Sequence, residues 1–328
     1  MRVAVIGGGI GGMALALSLH AAGIGDVDVY ESAAAIRELG VGINLLPHSV
    51  RELDELGLLD ELLATGIPTA EYVYYSKRGQ PIWRETLGLA SGYHWPQVSI
   101  HRGELLGVLH RAVRERLGPR HIHPGHHLTS FGHDQHGVWA EFVDRATRTP
   151  AGRIEGDLLV ACDGIHSTVR RAFYPLEGPP KWNGVTMWRG VAAGAPFLSA
   201  RTMINAGSSR QRAVVYPISK VYEDQGRALI NWVATLRSAD SRPMPPQDWT
   251  YAADRAQVLA AFAAFDFDFL DVPDLIQRTE TIYQYPMVDR DPLPPWDFGR
   301  VTLLGDAAHP MHPVGGTALR RPFSMPAS

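Results

Sequence analysis

The sequence predicts an α/β fold in which a parallel sheet is interrupted by an inserted, mostly antiparallel sheet. Two observations point to it. Three apolar runs, far apart in the chain, each end in a glycine- or aspartate-bearing turn: Gly7-Gly8-Gly9-Ile10-Gly11-Gly12, Cys162-Asp163-Gly164 and Gly305-Asp306-Ala307-Ala308-His309-Pro310. Between the second and third of these the texture changes, and residues 176–275 carry strand-like runs and many aromatics.

Taken in order, Arg2-Val3-Ala4-Val5-Ile6 is a β-branched run of the kind buried in a parallel sheet. Gly7-x-Gly9-x-x-Gly12 follows it, and Met13 to Leu19 then reads as a helix. Gly7 permits a tight turn, Gly9 lets a pyrophosphate approach the backbone, and Gly12 allows close helix–strand packing. The helix N-terminus offers free N–H groups and the positive end of its dipole. This is a Rossmann-like strand–turn–helix, completed by the strand Val27-Asp28-Val29-Tyr30. Glu31 stands about 20 residues beyond the glycines, where a carboxylate accepts hydrogen bonds from a ribose.

Pro47 to Leu63 reads as one amphipathic helical stretch, with Val50, Leu53, Leu56, Leu58, Leu59 and Leu62 apolar. Tyr72–Tyr75 and Gln80–Trp83 flank the turn Ser76-Lys77-Arg78-Gly79 as a hairpin. Gly103 to Leu117 is a helix ended by Gly118-Pro119. Asp157–Ala161 and Arg300–Leu304 are two more buried strands, and Asp306 can cap the turn that follows the second. Within 176–275, strands are expected at Gly184–Val191, Arg212–Ile218 and Ala228–Leu236, and Ser241-Arg242-Pro243-Met244-Pro245-Pro246 is a surface loop.

The order and spacing of the three turns resemble the class A FAD-dependent aromatic monooxygenases, the group around para-hydroxybenzoate and salicylate hydroxylases. Four further stretches are similar to the pyocyanin-forming phenazine monooxygenases of that family: Val41-Gly42-Ile43-Asn44, Ser99 to Leu105, Thr186-Met187-Trp188-Arg189-Gly190-Val191, and Tyr285 to Pro294. The resemblance implies FAD as cofactor, NADH or NADPH as co-substrate, and O2 and a small phenazine- or salicylate-like aromatic as substrates. It implies hydride transfer to FAD, addition of O2 at the flavin C4a, and hydroxylation of the ring by the resulting hydroperoxide. A flavin-dependent NAD(P)H oxidase or reductase without oxygenation, or an inactive FAD-binding relic, is the alternative.

The resemblance also implies site residues. Gly7, Gly9, Gly12, Glu31, Arg102, main-chain atoms of Leu128, Asp163, Asp306, Pro313, Gly315 and Gly316 would bind the cofactor. The Asp163 turn would serve FAD and nicotinamide pyrophosphates, and Asp306 the ribityl chain. Trp188, Arg189, Tyr216 and Trp232 alternate on candidate strands and are candidates for the substrate pocket or for packing. A lone Arg189 facing that pocket would suit an aromatic carboxylate. No individual residue is assigned a catalytic role. By the same resemblance, residues 1–71, 99–175 and 276–328 form the FAD-binding domain, and 72–98 with 176–275 the substrate-binding domain.

Composition narrows the class. The chain has 328 residues, 45% of them hydrophobic, enough for two domains with a large core. A net charge of −3 argues against nucleic acid or an anionic membrane as main partner. A single cysteine, Cys162, excludes an internal disulfide framework and fits a reducing cytoplasm. His121, His123, His126, His127, His133 and His136 cluster in sequence without a structural zinc pattern, so no metal is expected. Oligomeric state has no signal. After Gly315-Gly316-Thr317-Ala318-Leu319 the chain runs into Arg320-Arg321-Pro322-Phe323-Ser324-Met325-Pro326, where the family continues with a long helix. Two prolines forbid that helix, so a truncated or frame-shifted product is the expectation.

Overall fold

A computed structural model describes residues 1–35, 40–238, 244 and 251–312 of the chain. By contacts the chain divides into two compact units. The first comprises Met1–Glu38, Leu105–Lys181 and Asp289–Ser328; the second comprises Leu39–Glu104 and Trp182–Val288. Residues 40–71 and 99–104, expected with the first body, group with the second: Gly42–Leu45 and Ile67–Thr69 pair with Gln97–His101, and Gly42 and Ala70 bond to Asn231, Arg189 and Arg201.

The first unit is built on a six-stranded sheet. Its order is Asp297–Phe298, Val301–Leu303, Leu158–Ala161, Val3–Ile6, Val27–Tyr30 and Ile122–His123. All its pairings are parallel except that of the edge strand Asp297–Phe298. The buried strand Val3–Ile6 sits in the middle, and the chain builds outward from it first on one side and then on the other. Strand order therefore reverses beside Val3–Ile6, the place where open α/β sheets hold their ligands. An antiparallel sheet of His127–His133, Val138–Val143 and Pro150–Gly156 supplements this unit, and Leu128, Ala140 and Phe142 share one buried cluster with Tyr30 and Ala161.

The second unit carries a seven-stranded sheet ordered Tyr283–Asp289, Lys181–Gly194, Ala228–Arg237, Gln211–Pro217, Thr202–Gly207, Glu71–Tyr75 and Pro81–Thr86. Lys181–Gly194, Ala228–Arg237, Gln211–Pro217 and Thr202–Gly207 pair antiparallel in succession, while Thr202–Gly207 and Glu71–Tyr75 run parallel. One face packs on the helices Arg255–Phe262 and Val272–Arg278 through Trp188, Trp232, Phe262, Leu275 and Ile276.

The expected elements appear with shifted ends, and one is split. Pro47 to Leu63 forms two helices, Pro47–Glu55 and Leu59–Thr65, because Gly57 takes φ +66° and ends the first. A hydrophobic pattern alone carries across such a break, since the apolar residues on both sides still face one core. The Ser76–Gly79 turn joins Glu71–Tyr75 to Pro81–Thr86, with Gly79 at φ +78°. The loop expected at 241–246 lies outside the described residues apart from Met244. Among the described residues no helix is long and apolar enough to cross a membrane.

Candidate functional site

Parallel pairing brings the carboxyl ends of Val3–Ile6, Val27–Tyr30, Leu158–Ala161 and Val301–Leu303 to one edge of the first unit's sheet. The ladder continues into the turns that follow. The Gly7 N–H donates to Tyr30 O at 2.7 Å, Cys162 N–H to Ile6 O at 2.7 Å, and Leu304 N–H to Ala161 O at 2.8 Å. Three turns that are remote in sequence thus become neighbours by register.

Each glycine of the first turn meets a different constraint. Gly7 has φ +112°, and a Cβ there would lie 2.3 Å from Cys162 O. A Cβ on Gly12 would lie 1.9 Å from Gly7 O. A Cβ on Gly9 would meet no protein atom within 4 Å. Gly9 is the N-cap of the helix Ile10–Ala21, which has no side-chain cap and no acidic residue in its first turn. Unclaimed N–H groups, a positive dipole end and open space at Gly9 fit a pyrophosphate.

Glu31 follows the second strand. One carboxylate oxygen accepts from Gly8 N–H at 2.8 Å and the other from Ala33 N–H at 2.7 Å. It therefore shapes the phosphate turn in addition to standing where a ribose would be read. Glu31→Ala removes both acceptors, and at about 1–3 kcal/mol we expect FAD to bind roughly 10- to 100-fold more weakly. A flavin-fluorescence titration checks this; an unchanged Kd would take Glu31 out of the site.

In the second turn, Asp163 Oδ2 accepts from Thr168 N–H at 2.8 Å. Its buried Oδ1 has no hydrogen-bond partner among the described residues, which leaves an acceptor for a ligand hydroxyl. Burial pushes its carboxyl above the usual carboxylate range, against hydrogen bonds from Ser167 and nearby backbone. Burial likewise raises the Cys162 thiol, with Asp163 adding to the effect, so this cysteine is a poor nucleophile. In the third turn, Gly305 takes φ +61° and the short helix Gly305–Ala307 presents an exposed Asp306.

The two later turns are held by Arg170, Glu177 and Arg290, none of them a candidate from the sequence. Arg170, 2% exposed, makes five hydrogen bonds. Nη1 donates to Ala307 O at 3.0 Å and Ala308 O at 2.9 Å, and Nη2 to Asp291 O at 3.1 Å. Nε and Nη2 together grip Glu177 at 2.8 and 2.5 Å. Arg290 donates to the same carboxylate at 3.0 Å and to Ile165 O at 3.0 Å. One ion-pair network therefore spans the Asp163 and Asp306 turns. Nothing in the sequence separates Arg170 from the neighbouring Arg171 except its position three residues after the capping Ser167, on the buried side of a short helix.

Leu128 is buried among Tyr30, Val138 and Phe142, so only its main chain is available to a ligand. The histidine-rich segment is spent locally. His121 Nδ1 and His123 Nε2 lie 3.2 and 3.0 Å from Asp28 Oδ1, and Tyr30 is stacked between His123 and Phe142. Burial pushes the Asp28 carboxyl up, but hydrogen bonding and charge from His123 and His121 outweigh it and leave it below its usual value. A depressed folded pKa stabilises above the unfolded value of about 3.9 and is lost as pH falls through the folded one. We expect Asp28→Asn to flatten the fall in melting temperature below about pH 4; a profile parallel to that of the wild type would rule the contribution out.

In the second unit, Arg102 is exposed at the start of the helix Arg102–Arg116, its N–H donating to Val41 O at 2.9 Å. The four candidate pocket residues divide between two sheet faces. Val191, Asn231 and Tyr216 lie directly opposite one another, and Arg189 shares their face two residues away. Trp188 and Trp232 point the other way, into the core, with indole N–H groups bonded to Gln284 and Thr279 at 2.8 Å each. Of the two roles open to Trp188 and Trp232, pocket or packing, their burial in this cluster fits packing, since alternation places adjacent side chains on opposite faces. Pro313, Gly315 and Gly316 lie outside the described residues.

Comparison with known proteins agrees with this geometry. Residues 1–319 match the family model described as FAD binding domain. The chain is 44% identical over 314 residues to a phenazine 1,6-dicarboxylic acid hydroxylase of Lysobacter antibioticus, covering 95% of this chain and 77% of the relative. It is 32% identical over 321 residues to a 3-amino-4-hydroxybenzoate 2-monooxygenase of Streptomyces platensis, covering 95% and 74%. A crystal structure of Klebsiella pneumoniae HpxO with FAD and uric acid superposes with a TM-score of 0.77 at 25% identity, covering 98% of this chain and 77% of that one. The chain belongs to the FAD-binding-domain family of flavin-dependent monooxygenases, with FAD as its cofactor.

Proposed function

We propose that this monooxygenase hydroxylates an aromatic acid of the phenazine or salicylate kind, with NADH or NADPH as reductant. The observation that carries the reading is the 44% identity to a phenazine dicarboxylic acid hydroxylase across 95% of the chain. The second relative, also named for an aromatic acid, supports the same class. When bound, FAD supplies the redox chemistry, taking hydride from the nicotinamide and activating O2.

The protein's part is position and electrostatics. The first unit holds the dinucleotide: Gly7, Gly9 and Gly12 accommodate the pyrophosphate, Glu31 the ribose, Asp163 and Asp306 the two later contacts, and the Leu128 main chain the adenine. Arg102, Pro313, Gly315 and Gly316 belong to the same cofactor set by family resemblance. The second unit supplies the substrate face through Arg189 and Tyr216. A protein with one cysteine, itself a poorly ionised thiol, suits the reducing cytoplasm.

The test is NADH and NADPH oxidation by the FAD-loaded protein with phenazine-1-carboxylate or salicylate. We expect oxidation stimulated by the aromatic and a product heavier by one oxygen atom. Consumption of nicotinamide that releases only hydrogen peroxide would make it an oxidase. Failure to take up FAD would make it a relic.

A further inference from the structure

We propose that Arg189, Asn231 and Tyr216 form the seat of the substrate's carboxylate; this rests on the aromatic-acid reading above. The three share one face of the seven-stranded sheet, Asn231 and Tyr216 in direct register. Two of them converge on a single backbone unit. Asn231 Oδ1 accepts from Gly42 N–H at 2.7 Å, and Arg189 Nη2 donates to Gly42 O at 2.5 Å. Gly42 has to be glycine for this approach, since a Cβ there would lie 2.7 Å from Asn231 Cβ and 2.8 Å from Ile218.

The clamp leaves two donors over. Asn231 is fully buried, and because its Oδ1 is committed to an N–H, the orientation of its amide is fixed and Nδ2 is the free end. That Nδ2 has no partner among the described residues, and neither does the buried Nε of Arg189. Buried donors without acceptors are rare and costly, so two beside one glycine call for an acceptor supplied from outside the protein. Charge selects the kind. Arg189 forms no ion pair with any described carboxylate, and a neutral acceptor would leave its charge uncompensated. A carboxylate answers both needs, and the Tyr216 hydroxyl, which faces Arg189 and Asn44, supplies a third polar contact.

Asn231→Asp tests this, adding a buried charge that, among the described residues, only the Arg189 guanidinium on the same glycine compensates. The aspartate carboxylate still accepts the Gly42 N–H, but the free end becomes an acceptor that repels an anion. The probes are phenazine-1-carboxylate and phenazine-1-carboxamide, salicylate and salicylamide, titrated against the FAD-loaded protein by flavin absorbance. We expect the wild type to prefer the acids by roughly 10- to 100-fold, and Asn231→Asp to abolish or invert that preference while amide affinity changes by less than about threefold. Arg189→Gln, a second variant, should also lose the preference. Equal affinity of acid and amide for the wild type, or equal loss of both in the variants, would overturn the seat. Amides that are bound and hydroxylated as well as the acids would sink the seat and spare the proposed activity. If neither class binds or is hydroxylated, both proposals fall.

Discussion

Gly12→Ala is expected to yield protein that no longer retains FAD, with affinity reduced at least about 1,000-fold. A methyl group at this position would lie 1.9 Å from Gly7 O, a backbone atom that cannot rotate away. The helix Ile10–Ala21 must lift off the strand Val3–Ile6 to relieve it, and the N–H groups aimed at the pyrophosphate move with the helix. Losing several such bonds at about 1–1.5 kcal/mol each exceeds the roughly 4 kcal/mol that separates a micromolar from a millimolar site. Gly9→Ala is the informative companion. Its methyl meets no protein atom within 4 Å, so the apoprotein should melt within about 1 °C of the wild type while FAD binding is still lost. Flavin retention after desalting and melting of the apoprotein separate the two. A Gly9→Ala protein that stays yellow would mean that the pyrophosphate does not approach this turn.

That contrast also marks what was legible in the sequence. Strand, turn and helix were readable because Gly7 and Gly12 stand where the chain admits no Cβ, Gly9 leaves open the approach a pyrophosphate needs, and Val3–Ile6 has no polar residue to hide its burial. The inserted sheet was readable from its aromatic strands, and family resemblance placed 72–98 with it, but the strand pairing itself was not readable. Glu71–Tyr75 and Pro81–Thr86 join it from about 100 residues upstream through a parallel pairing with Thr202–Gly207, and local periodicity holds no information about such a partner. Side-chain direction was lost for a related reason. Trp188 and Arg189 are adjacent, and only knowing which face meets the helices Arg255–Phe262 and Val272–Arg278 sends one inward and the other out. Asn231 gave no signal at all, since its role exists only once Gly42, 189 positions away, is laid beside it.

Arg170→Met is the other change expected to have a large effect, because it removes the centre of a buried network while keeping most of the side-chain volume. Arg170 donates to the buried Ala307 and Ala308 carbonyls and to the part-buried Asp291 carbonyl and Glu177 carboxylate. Its hydrogen bond, opposed by burial and joined by the charges of Arg170 and Arg290, holds the Glu177 carboxyl below the usual range. Without it, Glu177 keeps Arg290, but the Ala307, Ala308 and Asp291 carbonyls lose a donor each. Leaving the buried Ala307 and Ala308 carbonyls without this donor costs about 1–3 kcal/mol each. For a chain of this size the two together correspond to a melting temperature lower by roughly 4–12 °C. A purely structural loss would stop there. Because the same guanidinium fixes the carbonyls next to Asp306, and Arg290 fixes Ile165 beside Asp163, FAD affinity should fall as well, by about tenfold or more below the melting transition. Glu177→Gln gives the matching control: it keeps an acceptor for Arg170 and leaves the carbonyl contacts in place, so stability should fall while FAD affinity stays near that of the wild type. If Arg170→Met binds FAD as tightly as Glu177→Gln does, the network stabilises the sheet edge without setting the geometry of the cofactor turns.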